Sequence, residues 1–195
     1  IMVYLAGDNN LSENMISALI GMQNAMKTAG SDKYINLIAI YDSGYPTVRI
    51  QTYHFTHKNS SVPLTQIAKD AFNKNRKSNE TAHINDFVNF VVHEKGFEAE
   101  NYALIMSGHS DGILGKTMFR DNNPDSEMDL NYLQYILKLA KKSLKGNEKF
   151  ENHNGKFALI GFDSCMMGML EVGYELRHVS EFMVASQGYA PIDGW

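Results

Sequence analysis

The sequence predicts an α/β fold built on a parallel or mostly parallel sheet covered by helices on both faces. Two features lead there. Residues 1–6, 102–106 and 157–162 are short, uninterrupted apolar runs, the pattern of strands buried on both sides. These runs alternate with segments that repeat apolar residues at helical spacing, as chained β–α units do. A sheet of this kind forms its sites beyond the carboxyl ends of its strands.

Taken in order, residues 1–6 read as a buried strand, and Asn10 with Glu13 as a capped helix start. Met15, Leu19, Met22 and Met26 then recur at helical spacing, and Gly30 suits a left-handed helix end. Residues 35–41 form a second strand and 42–46 carry turn chemistry. Val48, Ile50, Thr52 and His54 alternate with Arg49, Gln51, Tyr53 and Phe55, which predicts a half-exposed strand. Residues 56–80 are a polar surface excursion with a short helix near 67–72. Ile84, Phe87, Val88 and Val91 mark a helix over 82–94, closed by Gly96. Residues 102–106 are a third core strand and 113–128 are irregular. Leu130, Leu133, Ile136, Leu137, Ala140 and Leu144 define an amphipathic helix, which runs into a lysine-rich connection ending at Lys156. Residues 157–162 are a fourth core strand, 167–177 a helix and 182–185 one more strand.

Composition narrows the function. The formal charge of -4 leaves no basic footprint for nucleic acid. No apolar run reaches the length of a membrane span. A single cysteine excludes an internal disulfide and stands either as a buried small hydrophobe or as a reactive thiol. The chain is read as one domain over residues 1–195, expected to be truncated at both ends relative to the full protein, since it begins inside a strand and stops abruptly at Trp195.

Cys165 follows a strand and precedes a helix, a position where the helix dipole and free N–H groups favour a thiolate. His109 sits in a glycine-flanked turn after another core strand. Both therefore fall on one edge of the sheet. An imidazole there can accept a proton and pass it to a leaving amine. The other histidines (His54, His57, His83, His93, His153 and His178) have no metal-ligand spacing. A competing pattern is GHSDG at 108–112, which fits the G-x-S-x-G of serine hydrolases, with Ser110 as nucleophile, Asp163 as acid and His178 as base. The elbow requires a helix straight after the serine, and residues 113–118 lack a helical pattern.

A Gly-His pair after one strand and an Asp-Ser-Cys after the next resemble the clostripain family of cysteine peptidases, within the caspase-like group. The segments FDSCMMGMLE (162–171), VASQGYAPIDGW (184–195) and MVYLAGDNNL (2–11) carry the likeness. It implies a caspase-like three-layer α/β/α sandwich. It also implies a His109–Cys165 dyad that cleaves peptide or protein chains after Arg or Lys, with Asp163 and Asp193 in the S1 pocket. The backbone N–H groups of Ser110 and Cys165 would hold the oxyanion. Ser110 departs from the family, where glycine usually follows the histidine. The resemblance further implies a secreted or otherwise extracytoplasmic precursor that cuts itself after a basic residue. Lys116, Arg120, Lys141, Lys142, Lys145, Lys149 and Lys156 are the candidates. Some members use calcium, but Asp121, Asp125, Glu127 and Asp129 lack ordered ligand spacing, so no metal or other cofactor is expected to be required. A binding module without catalysis, on the same scaffold, is the remaining alternative.

Overall fold

A computed structural model describes residues 1–28, 30–43, 50–70, 80–113, 118–122, 125–145 and 155–192. The first half contains β1 (Met2–Gly7), α1 (Ser12–Ala25), β2 (Leu37–Ser43), β3 (Gln51–Phe55), α2 (Leu64–Ile67), β4 (Lys69–Asp70) and α3 (Glu80–His93). The second half contains β5 (Ala103–Ser107), β6 (Met118–Asn122), β7 (Asp125–Met128), α4 (Leu130–Leu144), β8 (Phe157–Asp163), α5 (Leu170–Leu176) and β9 (Ser180–Ala185).

The main sheet has seven strands in the order β4-β3-β2-β1-β5-β8-β9. The stretch from β2 to β9 is parallel throughout, while β3 and β4 add on antiparallel at one side. The predicted sheet is thus present. Its alternation sorts side chains to two cores. Val3 and Leu5 of β1 face Met15 and Leu19 of α1. Met2, Tyr4 and Ala6 face the other way, into a larger cluster with Phe87 of α3, Leu137 of α4 and Val172 of α5. Helices on both faces give the three layers. Each fully buried side chain of this kind contributes roughly 1.5–3 kcal/mol.

Register places the site. Ala6 lies opposite Asp42 and Ser107 opposite Asp163. The segments that follow β1, β2, β5 and β8 therefore emerge on one edge of the sheet.

Several local expectations are corrected. Asn10 does not cap α1: Leu11 occupies the cap without a side-chain bond, and Asn9 Oδ1 instead accepts from Leu11 N–H at 2.9 Å. The helix ends at Ala25, well before Gly30. β2 continues through Asp42, which is buried in the strand rather than part of a turn. The short helix lies at Leu64–Ile67, directly after Pro63, whose fixed φ suits a helix start. The stretch expected to be irregular contains the β6–β7 hairpin. Asp129 Oδ1 accepts from Tyr132 N–H at 2.7 Å and caps α4. Among the described residues, no helix is long and apolar enough to cross a membrane.

Candidate active site

His109 is placed by β5 and by the hairpin. The loop after β5 passes so close to β1 that a Cβ on Gly108 would lie 3.0 Å from the Phe119 ring and 3.1 Å from Ala6 Cβ. His109 C=O accepts from Phe119 N–H at 2.8 Å, and Ser110 forms a bridge to Met118. Phe119 is fully buried, edge-on to Tyr4 at 6.4 Å. It holds a left-handed φ of 53°, which costs a side-chain-bearing residue about 1–2 kcal/mol. Strain of this size marks a position fixed by its surroundings. The imidazole Nε2 lies 2.7 Å from Asn10 Oδ1.

Cys165 is placed differently from expectation. The helix after β8 begins only at Leu170, so neither its dipole nor its free N–H groups reach the thiol. A loop carries the cysteine, and backbone bonds to the segment after β9 fix that loop. Met166 N–H donates to Gly188 C=O at 2.8 Å, and Gly168 N–H to Ser186 C=O at 2.7 Å. A Cβ on Gly168 would fall 2.9 Å from Ala185 O, so the two segments touch backbone to backbone. Met166, next to the thiol, has a φ of 58°. Cys165 is half-buried and unpaired in any disulfide, and its sulfur accepts from Ala190 N–H at 3.4 Å.

The two residues line one cleft of about 250 Å³. Asn10, Leu11, Asn14, Met15 and Ala18 form one wall, residues 107–109 and 163–165 the floor, and residues 190–192 the far wall. Asp163 lies on that floor and accepts from Ser107 Oγ at 2.8 Å. Partial burial pushes its carboxyl above the ordinary range, against the opposing effect of the Ser107 bond. It does not cap a helix, because α5 starts at Leu170 with Met169 in the cap. Ser164, between Asp163 and Cys165, keeps a buried hydroxyl with no partner among the described residues.

Ser110 adopts no left-handed φ, so a side chain after the histidine is accommodated without strain. Its hydroxyl is buried, donating to Met167 Sδ at 2.9 Å and accepting from Gly112 N–H at 3.1 Å. That hydroxyl is unsuited to attack. His178 precedes β9, on the amino edge of the sheet, opposite Ser110. The arrangement needed for a serine hydrolase is therefore not assembled.

Of the basic residues, Arg120 lies in β6 and its C=O accepts from Asn9 Nδ2 at 2.9 Å. Lys141 and Lys142 lie in the last turn of α4, with Lys145 at its C-cap. Lys156 Nζ donates to Arg177 C=O at 2.9 Å. Lys116, Lys149 and Asp193 fall outside the described residues. Of the acidic residues weighed for calcium, Asp129 caps α4 through its Oδ1.

Sequence reasoning brought His109, Cys165 and Asp163 together but missed Asn10 and the 186–190 segment. Asn10 carried a signal, since it lies three residues past the end of a strand on the same edge. Its helix-cap chemistry concealed it.

The family profile described as "Clostripain family" matches residues 3–195. Clostripain of Hathewaya histolytica is 26% identical, over 91% of this chain and 35% of its own length. Among solved structures, a secreted C11 cysteine protease from Bacteroides thetaiotaomicron, in complex with an irreversible peptide inhibitor, superposes with a TM-score of 0.72. It is 22% identical, over 99% of this chain and 49% of that one. An inactive zymogen C11 protease from Parabacteroides distasonis gives a TM-score of 0.67 at 20% identity, over 100% of this chain and 49% of its own. This chain thus spans about half the length of these solved relatives.

Proposed function

Because this chain belongs to the clostripain family, we propose that it forms the catalytic part of a cysteine endopeptidase that cleaves after Arg or Lys. The observation that carries the reading is the cleft shared by His109 and Cys165, each just past the carboxyl end of one of two neighbouring parallel strands.

Cys165 attacks the scissile carbonyl once His109 has taken its proton. The backbone N–H groups of Ser110 and Cys165 hold the oxyanion, His109 protonates the departing amine as the C–N bond breaks, and water hydrolyses the thioester. Every step draws on protein groups and water. Asp163 supports a basic P1: a guanidinium or ammonium entering the cleft needs a carboxylate partner to offset its desolvation. Asp193 would be the second carboxylate of that pocket.

Self-cleavage of a precursor belongs to the same reading. An endopeptidase cleft takes a chain free to leave its own secondary structure, which disfavours Lys141 and Lys142 in a helix, Arg120 in a paired strand, and Lys156 one residue before β8. Of the described candidates, Lys145 at the end of α4 is the best placed, with Lys116 and Lys149 also eligible. Export from the cytoplasm is part of the proposal, supported by a relative described as secreted.

The test is cleavage of matched peptides with Arg, Lys, Asp, Leu or Gln at P1, by the native chain and by Cys165→Ala. Turnover confined to Arg and Lys, and lost in the variant, is expected. Native-rate turnover by Cys165→Ala would refute the nucleophile, and an even profile across P1 would refute the pocket.

A further inference from the structure

We propose that Asn10 is a positioning residue for His109, holding the imidazole so that Nε2 keeps a proton and Nδ1 does the proton transfer. The inference rests on the dyad reading above, and it adds a third group to it.

The geometry is direct. Asn10 Oδ1 lies 2.7 Å from His109 Nε2. A carboxamide oxygen only accepts, so Nε2 donates and the lone pair of the neutral ring is on Nδ1. Asn10 does not cap α1, which has no side-chain cap. Its loop is fixed on both sides. Asn9 Nδ2 donates to Ala6 C=O at 3.0 Å and to Arg120 C=O at 2.9 Å, and Asn9 Oδ1 accepts from Leu11 N–H at 2.9 Å. Asp8 C=O accepts from Asn122 N–H at 3.0 Å. The same strand, β6, holds His109 C=O through Phe119 N–H. One hairpin thus ties down both the ring's backbone and the residue that orients the ring.

The proton count closes. Nδ1 takes the thiol proton, giving a thiolate and an imidazolium with both nitrogens protonated. The Nδ1 proton then goes to the amine nitrogen as the C–N bond breaks, and the ring returns to its Nε2–H form. Asn10 neither gains nor loses a proton. Its oxygen stabilises the imidazolium, because a bond to a charged donor is stronger than one to a neutral donor. Among the described residues, the titratable and charged groups on the surrounding elements are Asp163 at the end of β8 and Cys165 after it, Asp111 on the ring's own loop, Asp8 after β1, Glu13 on α1 and Arg120 on β6. Asn10 variants leave all of them in place.

The experiment uses the full chain as native protein, Asn10→Ala and Asn10→Asp. It reads kcat and KM on an arginyl peptide against pH, the rate of Cys165 alkylation by iodoacetamide against pH, and the His109 tautomer by nitrogen NMR. Asn10→Ala is expected to lower kcat about ten-fold with KM little changed. The pH limb set by the imidazole moves to lower pH in Asn10→Ala and to higher pH in Asn10→Asp. The tautomer is Nε2–H in native protein and mixed in Asn10→Ala. Asn10→Asp preserves shape and acceptor, so it keeps the test open should the alanine variant fold poorly. Cleavage with unmoved limbs and an unmoved tautomer would overturn the role of Asn10 alone. Shifted alkylation profiles in a protein that cleaves no peptide would support Asn10 and overturn the peptidase reading.

Discussion

Asp163 is a carboxylate lining a cleft, where a hydrogen bond from Ser107 offsets part of its loss of water. Its raised pKa means that the folded chain holds this proton more tightly than the unfolded chain does, so ionising Asp163 costs stability rather than adding it. A cationic side chain arriving in the cleft reverses that preference. Asp163→Asn should therefore lower kcat/KM for Arg and Lys peptides by roughly 10–100-fold, the size of a charge-assisted hydrogen bond, while leaving stability at neutral pH undiminished. The pH dependence follows from the direction of the shift. On the proposed reading, discrimination for basic P1 requires Asp163 to be ionised. It is lost as pH falls through the raised pKa, earlier than an ordinary aspartate would lose it. Inhibitor binding with Arg or a neutral residue at P1, measured across pH, checks this. An equal loss for both in Asp163→Asn would assign the residue to the architecture of the loop instead.

At the scale of elements, two loops meet at the site, and their contact is set by glycine. Gly112 has a φ of 60°, and a Cβ there would lie 2.6 Å from Met166 O. The histidine loop therefore rests on the backbone of the residue after the thiol. Gly112→Ala would combine left-handed strain with a clash that only movement of one loop relieves. It should lower kcat at least ten-fold and Tm by roughly 3–10 °C. Gly96 is the control: it has a φ of 100° with nothing within 4 Å of an added Cβ, so Gly96→Ala should cost stability and leave kcat unchanged. A Gly112→Ala enzyme as active as native would show that the two loops are not coupled. The sheet and the strand ends bearing His109 and Cys165 were legible because buried parallel strands are continuous apolar runs, and strand ends share an edge. The helix start after Cys165 was not, because Met167, Met169 and Leu170 read equally well as helix or as loop. Backbone bonds from Met166 and Gly168 N–H to the carbonyls of Gly188 and Ser186 decide for the loop. The β6–β7 hairpin was hidden by its polar sequence: its strands, MFRDN and DSEM, hold Met118, Phe119 and Met128 as their apolar residues, too few for a period-2 signal. Asn10 was hidden because the same side chain that orients an imidazole also caps helices, and only tertiary structure chooses between the two.

For the whole molecule, the edge that carries the site also concentrates buried carboxyl groups. Asp42, at the end of β2, is 7% exposed, and its Oδ2 has no hydrogen-bond partner among the described residues. Burial and the neighbouring Asp8 carboxylate push it up to about 7, with the Ser43 backbone acting in the other direction. A folded-state pKa above the unfolded one means that the native chain binds this proton more tightly than the unfolded chain does. The stabilisation is complete below the unfolded value near ~4. It is lost as pH rises through about 7, where the fold must instead accommodate a buried, poorly compensated charge. A shift of this size corresponds to at most about 4 kcal/mol. Asp42→Asn keeps the shape and removes the charge. Its stability relative to native protein should climb from near its acid-side value at pH 4 to several kcal/mol higher at pH 8, read as urea midpoints at a common m-value. A difference that stays flat between pH 4 and 8 would mean that Asp42 does not titrate in this window and that its burial is compensated. The predicted rise would mean instead that the catalytic edge is held at a stability cost near neutral pH. Cys165 and His109 would then work on the part of the sheet that charge repulsion loosens first.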